Sequence, residues 1–254
     1  MVQWLRSLLF FTMFCVGIFF YGVLITLVWP ITPLTFRRWL AKQWAYYNLF
    51  MLKWVCGLKH VVSGQENLPP APFVILSKHQ SEWETVTFHT LFPFFAFALK
   101  RSLKWIPIFG WALAATQQIF INRSHGTEAL RLLATEGKAA MAQGDCILIF
   151  PEGTRMPAGQ VGDYKPGGVM LAMAAEAPIV PVAHDAGYYW PKGQLLKKAG
   201  TVRVKIGKPI PTAGLPKNAR KQLMAQVEQS IEGMIEEIRA EREAEGSITP
   251  NPPG

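Results

Sequence analysis

The sequence predicts an α/β domain on a central, mixed or largely parallel sheet with flanking helices, preceded by an N-terminal membrane-embedded helical pair. Two observations predict it. After residue 70, short runs rich in β-branched and aromatic residues alternate with helical stretches, the pattern of strands joined by crossovers. Before residue 60 the chain is largely apolar, and residues 8–29 form 22 positions without a charge.

The elements follow in order. At about 1.5 Å per residue, the uncharged run spans roughly 33 Å, enough to cross a hydrocarbon core. A cleaved signal peptide is the competing reading, but the run is long for one and Trp29-Pro30 follows it in place of a small-residue cleavage site. Thr32 is expected to cap a second helix, residues 34–58, with Pro33 at its first position, where a missing N–H costs nothing. On a helical wheel Arg38, Lys42 and Lys53 fall within a sector of about 60°, although Tyr46 and Leu49 share it. Basic residues beside Trp39, Trp44, Tyr47 and Trp54 are the composition of a lipid headgroup region. The alternative is an ordinary core helix. Basic residues after the first helix outnumber those before it, which makes that flank cytoplasmic. Either the N-terminus lies outside, or the two helices form a hairpin that enters and leaves one leaflet.

Strands are expected at residues 73–76, 95–99, 118–121, 146–150, 179–182 and 202–206. A helix over 128–143 stops at Gly144. A last helix, 218–243, carries Leu223, Val227, Ile231, Met234 and Ile238 on one stripe. These elements divide the chain into membrane-anchoring helices (1–60), a domain (61–245) and a disordered tail (246–254).

Half of the residues are apolar, 17% are charged, and the net charge is +9. Residues 217–245 hold five basic and seven acidic side chains, so the positive excess lies in the rest of the chain. Such charge suits anionic lipid, a phosphorylated substrate or nucleic acid. Nucleic acid is disfavoured, because the charge is interleaved with a membrane segment and no binding motif for DNA or RNA occurs. Cys15, Cys56 and Cys146 are scattered and show no metal spacing, as expected of reduced packing residues on the cytoplasmic side.

Four stretches at strand ends can carry chemistry. Lys78-His-Gln-Ser-Glu-Trp-Glu-Thr places a carboxylate five residues after His79, a base with an orienting partner. The same letters fit a capping box, in which Ser81 and Glu84 merely satisfy backbone amides. Ile119-Phe-Ile-Asn-Arg123 and Phe150-Pro-Glu-Gly-Thr-Arg155 end strands in arginines, whose planar forks suit phosphate. Gly153 permits close approach of the backbone to an anion. Arginine after a strand is also a common solvated loop charge. Ile179-Val-Pro-Val182, with His184 just beyond, is the fourth. Strand ends in open α/β sheets share one ligand crevice.

These four blocks, in this order, resemble those of the PlsC-type 1-acylglycerol-3-phosphate acyltransferases, over about residues 70–209. Trp105-Ile-Pro-Ile-Phe-Gly110 is also similar to family sequences. Two departures stand out. The family's His-x4-Asp is here His79 and Glu84, one methylene longer, and Gln117 stands where glycine is common. The resemblance implies the glycerolipid acyltransferase fold. It also implies acyl transfer from acyl carrier protein or coenzyme A to the sn-2 hydroxyl of lysophosphatidic acid, giving phosphatidic acid.

A thioester is already activated, so no metal or organic cofactor is required. A neutral imidazole can take the hydroxyl proton during attack, and a carboxylate can fix its tautomer. His79 is then the general base and Glu84 its orienter. On a regular helix, positions five apart point about 140° from each other, so His79 must lie in the turn before the helix. Ser81 as a nucleophile is the rival. Glu152, Gly153, Thr154 and Arg155 would hold the acceptor's phosphate, with Arg123 assisting; the alternative role for Glu152 is to orient Arg155 or the hydroxyl. Lys100, Arg101 and Lys104 could attract anionic lipid or the donor, or be plain surface charge. Residues 165–168 form a turn near the site, and His60, His89 and His125 are expected to be structural or surface residues. The implied location is a bacterial inner membrane, with the domain on the cytoplasmic face. The alternatives are another lysolipid acceptor (a lyso-phospholipid or lyso-ornithine lipid) and a non-catalytic membrane lipid-binding protein.

Overall fold

The structure is a computed structural model that describes residues 1–122 and 126–246. Seven helices and seven strands follow in the order α1 (Val2–Val28), α2 (Leu34–Met51), β1 (Leu58–Ser63), β2 (Val74–Ser77), α3 (Trp83–Leu91), β3 (Phe95–Lys100), α4 (Phe109–Ala115), β4 (Ile119–Ile121), α5 (Gly126–Ala142), β5 (Cys146–Ile149), α6 (Gly167–Ala175), β6 (Ile179–His184), β7 (Gly200–Ile206) and α7 (Arg220–Ala244). The strands form one sheet in the order β1-β7-β6-β2-β5-β3-β4. β6, β2, β5, β3 and β4 are mutually parallel, so their C-terminal ends share one edge. Among the described pairs of strands, β7 against β6 is the antiparallel one.

Strand alternation builds two cores. Val74, Leu76, Ile147 and Ile149 face α5, α6 and α7, where the stripe Leu223, Val227, Ile231, Met234 and Ile238 is buried as expected. Ile75, Leu148, Val180 and Val182 face Trp83, Phe88 and the aromatic side of the N-terminal helices. Covered on both faces, these strands read as unbroken apolar runs. Each buried Val, Leu or Ile contributes about 1.5–3 kcal/mol.

The N-terminal pair differs from its expected form in three respects. Thr32 does not cap α2: its hydroxyl turns back to the Val28 carbonyl (2.6 Å), and Pro33 precedes the first turn. The helix does not continue to residue 58. A wider turn, Leu52–Cys56, ends it at Gly57, whose φ of +70° favours a residue without Cβ. The chain then enters β1, an edge strand paired with β7. Arg38 is not a headgroup residue. It donates two bonds to Asp145 (2.8 and 2.7 Å) and stacks 3.4 Å from the Phe94 ring centre, tying α2 to the domain.

Helix α1 is long and apolar enough to cross a membrane, yet it is fixed to the domain along its length. Near its start the Gln3 amide donates to the Lys197 carbonyl (2.6 Å), and the Lys197 N–H donates to the Ser7 hydroxyl (2.9 Å). Phe10 meets Trp190 edge-on. Near its end Gly22 lies against Ile108, and Ile25 packs with Ala115. Its outer face leaves Leu9, Val16, Phe19 and Phe20 exposed, and Trp39, Phe50 and Trp54 are exposed on α2 and the wide turn that follows it.

Candidate active site

Helix α3 begins at Trp83, so His79 lies in the turn between β2 and the helix. Its Nδ1 is 2.8 Å from Glu84 Oε1. The same oxygen accepts the N–H of Gln80 (2.9 Å) and of Ser81 (2.8 Å). One glutamate oxygen therefore serves the imidazole and the cap together, and the two readings of this stretch merge. The Ser81 hydroxyl accepts from the Trp83 N–H (3.1 Å) and donates to the Trp190 carbonyl (2.6 Å). Ser81 is fully buried, which leaves it unsuited to act as a nucleophile.

Glu84 is fully buried. Burial raises its pKa, opposed by the charge relationship with His184 and by the surrounding amides. Its second oxygen has no hydrogen-bond partner and lies 3.9 Å from His184 Nε2. His184, at the end of β6, has its pKa lowered by burial, which favours the neutral ring. Its Nε2–H donates to the Lys78 carbonyl (2.9 Å), and its Nδ1 accepts the Ala186 N–H (3.3 Å).

The segment after β5 holds His79 from the other side. Phe150 stacks on the imidazole at 3.8 Å between ring centres. The Met156 N–H donates to the His79 carbonyl (2.8 Å), and the His79 N–H donates to Glu152 Oε2 (3.1 Å). Glu152 Oε1 accepts from Lys78 Nζ (2.8 Å) and from the Gly162 N–H (3.1 Å). Lys78 also donates to Glu232 of α7 (2.9 Å), which accepts the Tyr164 hydroxyl (2.8 Å). Burial and Glu232 raise the Tyr164 pKa, so the phenol keeps its proton.

Gly153 has φ +70°, and its N–H donates to the Phe150 carbonyl (3.0 Å). Arg155 is partly exposed and pairs with Glu82, not with Glu152. Lys192 reaches the Thr154 hydroxyl and the Arg155 carbonyl, both at 3.3 Å. Beside this segment lies a largely apolar cleft of about 420 Å³ with Ile121, Leu130, Ile149, Phe150, Gly153 and Thr154 in its walls. Arg123 and His125 lie outside the described residues. His60 meets Trp83 edge-on, and His89 stacks on Phe95. Among the described residues, no group of three or more His, Cys, Asp or Glu is arranged to hold a metal ion.

Sequence reasoning missed Lys78 as a charge partner, together with Glu82, Lys192 and Glu232. Lys78 and Glu82 lie within the His79 block, but nothing local named their partners. Such pairings depend on chain folding, as with Lys78 and Glu232, 154 positions apart.

Residues 59–185 match the family described as Acyltransferase. The chain is 40% identical to the 1-acyl-sn-glycerol-3-phosphate acyltransferase of Pseudomonas aeruginosa, over 94% of this chain and 92% of that one. It is 29% identical to the protein of the same name from Saccharomyces cerevisiae, over 93% of this chain and 78% of that one. The crystal structure of the 1-acyl-sn-glycerophosphate (LPA) acyltransferase PlsC from Thermotoga maritima matches with a TM-score of 0.77 and 26% identity. That match covers 93% of this chain and 95% of that one.

Proposed function

Because this chain belongs to the acyltransferase family, we propose that it transfers an acyl chain from a thioester to the sn-2 hydroxyl of 1-acylglycerol-3-phosphate. The product is phosphatidic acid. The observation that carries the reading is the His79–Glu84 contact of 2.8 Å on a fully buried carboxylate.

Nδ1–H donates to Glu84, which places the lone pair of the ring on Nε2. As the lysolipid oxygen attacks the thioester carbonyl, Nε2 takes its proton. The tetrahedral intermediate collapses, the carbon–sulfur bond breaks, and the imidazolium returns the proton to the departing sulfur. Glu84 stabilises the imidazolium between these steps. No metal or organic cofactor takes part, since the donor is already activated.

Arg155 holds the acceptor's phosphate, with Thr154, Gly153 and Arg123 beside it and Lys192 adding charge. One of the five N–H donors of Arg155 is committed to Glu82, which orients the fork towards the anion. Glu152 contacts no phosphate in this reading; its carboxylate is bonded to Lys78, His79 and Gly162 and holds the base in place. The apolar cleft takes an acyl chain.

The hairpin of α1 and α2 lies in one leaflet of a bacterial inner membrane, with the domain on its cytoplasmic face. The support is geometric: a helix hydrogen-bonded to the domain near its start and packed on it near its end cannot carry its N-terminus to the opposite surface. The donor is acyl carrier protein or coenzyme A, either of which suits a basic protein.

The test offers the purified full chain a panel of lysolipids with both donors and identifies products by mass. Phosphatidic acid from 1-acylglycerol-3-phosphate is the expected product. Turnover confined to a lysolipid without phosphate, such as lyso-ornithine lipid, would overturn the assignment of the acceptor.

A further inference from the structure

We infer that Lys78 is a positioning residue for acyl transfer. Its ammonium holds the Glu152 carboxylate aimed at the His79 amide, and so fixes where the imidazole stands. The inference rests on His79 as the base.

Lys78 does not bind substrate, because it is 1% exposed. Its ammonium lies between two carboxylates, Glu152 at 2.8 Å and Glu232 at 2.9 Å. The Glu152 side chain is fully buried. A carboxylate so placed stays charged only beside a cation or enough N–H donors. Lys78 and Gly162 satisfy one of its oxygens, which leaves the other to accept from His79.

The catalytic residue is thereby held from both ends of its peptide: Glu152 takes the N–H and Met156 supplies a donor to the carbonyl. Both restraints come from the segment after β5, and Lys78 ties that segment to β2. Its bond to Glu232 extends the tie to α7, where Tyr164 holds Glu232 in turn.

A lysine that acts through one carboxylate becomes dispensable once that carboxylate is neutral. Lys78→Met should lower kcat about 100-fold, the cost of a displacement of roughly 1 Å at a reacting group. The KM for lysophosphatidic acid should stay within about twofold, since substrate binding is untouched. In Glu152→Gln the amide oxygen can still accept from His79; the NH2 that then faces Lys78 and the Gly162 N–H cannot accept from them, and Lys78 keeps Glu232 as its counter-charge. Lys78→Met/Glu152→Gln should therefore match Glu152→Gln alone in kcat within about threefold, a strongly non-additive cycle.

The experiment measures kcat and KM for these three full-length variants, with His79→Ala as the control and thermal melting as a check of folding. If Lys78→Met fails to fold, the double variant against Glu152→Gln still decides, because that pair leaves no buried carboxylate without its cation at position 152. A double variant at least tenfold slower than Glu152→Gln, or a folded Lys78→Met with unchanged kcat, overturns this inference and leaves His79 as the base. A His79→Ala variant that keeps its kcat overturns both.

Discussion

Two neighbouring strand ends in this molecule are built in opposite ways. After β2, the turn from Lys78 to Glu84 is closed and densely hydrogen-bonded. Its lysine has two carboxylates, its serine hydroxyl is both donor and acceptor, and one oxygen of Glu84 takes three contacts. After β5, the segment beyond Glu152 is turned outward, with a left-handed glycine, an exposed Thr154 and a partly exposed Arg155. The contrast separates two tasks. Groups that must meet a transition state are fixed in advance; groups that receive an incoming anion are left where it can reach them.

The comparison can be broken at either end. If His79 is the base, as proposed, His79→Ala should lower kcat by about 1,000-fold or more, within the range of general base catalysis, while far-ultraviolet circular dichroism stays that of the folded protein. At the open end, Arg155→Ala should raise the KM for lysophosphatidic acid about 10–100-fold, the value of a charge-assisted pair, with kcat little changed. Steady-state assays at varied lysolipid would show this split. A similar loss of kcat in both variants would erase the distinction between the two strand ends.

A smaller effect comes from pH. Burial keeps the His184 pKa below 6.5 in the folded protein, whereas the unfolded chain titrates near 6.5. As the pH falls below about 6.5, the unfolded state takes up this proton first. Stability contributed by the neutral ring is complete above that value and is lost towards the folded pKa. His184→Asn can keep a donor to the Lys78 carbonyl without a titrating ring. Its melting temperature should fall less than that of the natural chain between pH 7 and pH 5.

Much of this contrast was legible in the sequence because it is local. The six expected strands form within two residues of their predicted ends, and the Ser81–Glu84 spacing placed His79 ahead of the helix. What escaped is non-local. β1 follows a helical pattern, signalled only by Gly57, and pairs with a strand more than 130 residues later. Arg38 looked like a headgroup cation because its partner, Asp145, is 107 positions away. Glu152 looked like part of an anion site because the cation that claims it precedes it by 74 positions. Charge type can be read along a chain; charge pairing depends on the fold.

In the proposed mechanism Glu84 works on the imidazole and does not only cap α3. Glu84→Gln tests it most directly, because glutamine can still accept the Gln80 and Ser81 amides but carries no charge for an imidazolium. At saturating lysophosphatidic acid, kcat should fall about 100-fold or more with the KM within about twofold, as for loss of a group that acts only in the transition state. An unchanged kcat would contradict the account and reduce Glu84 to a cap.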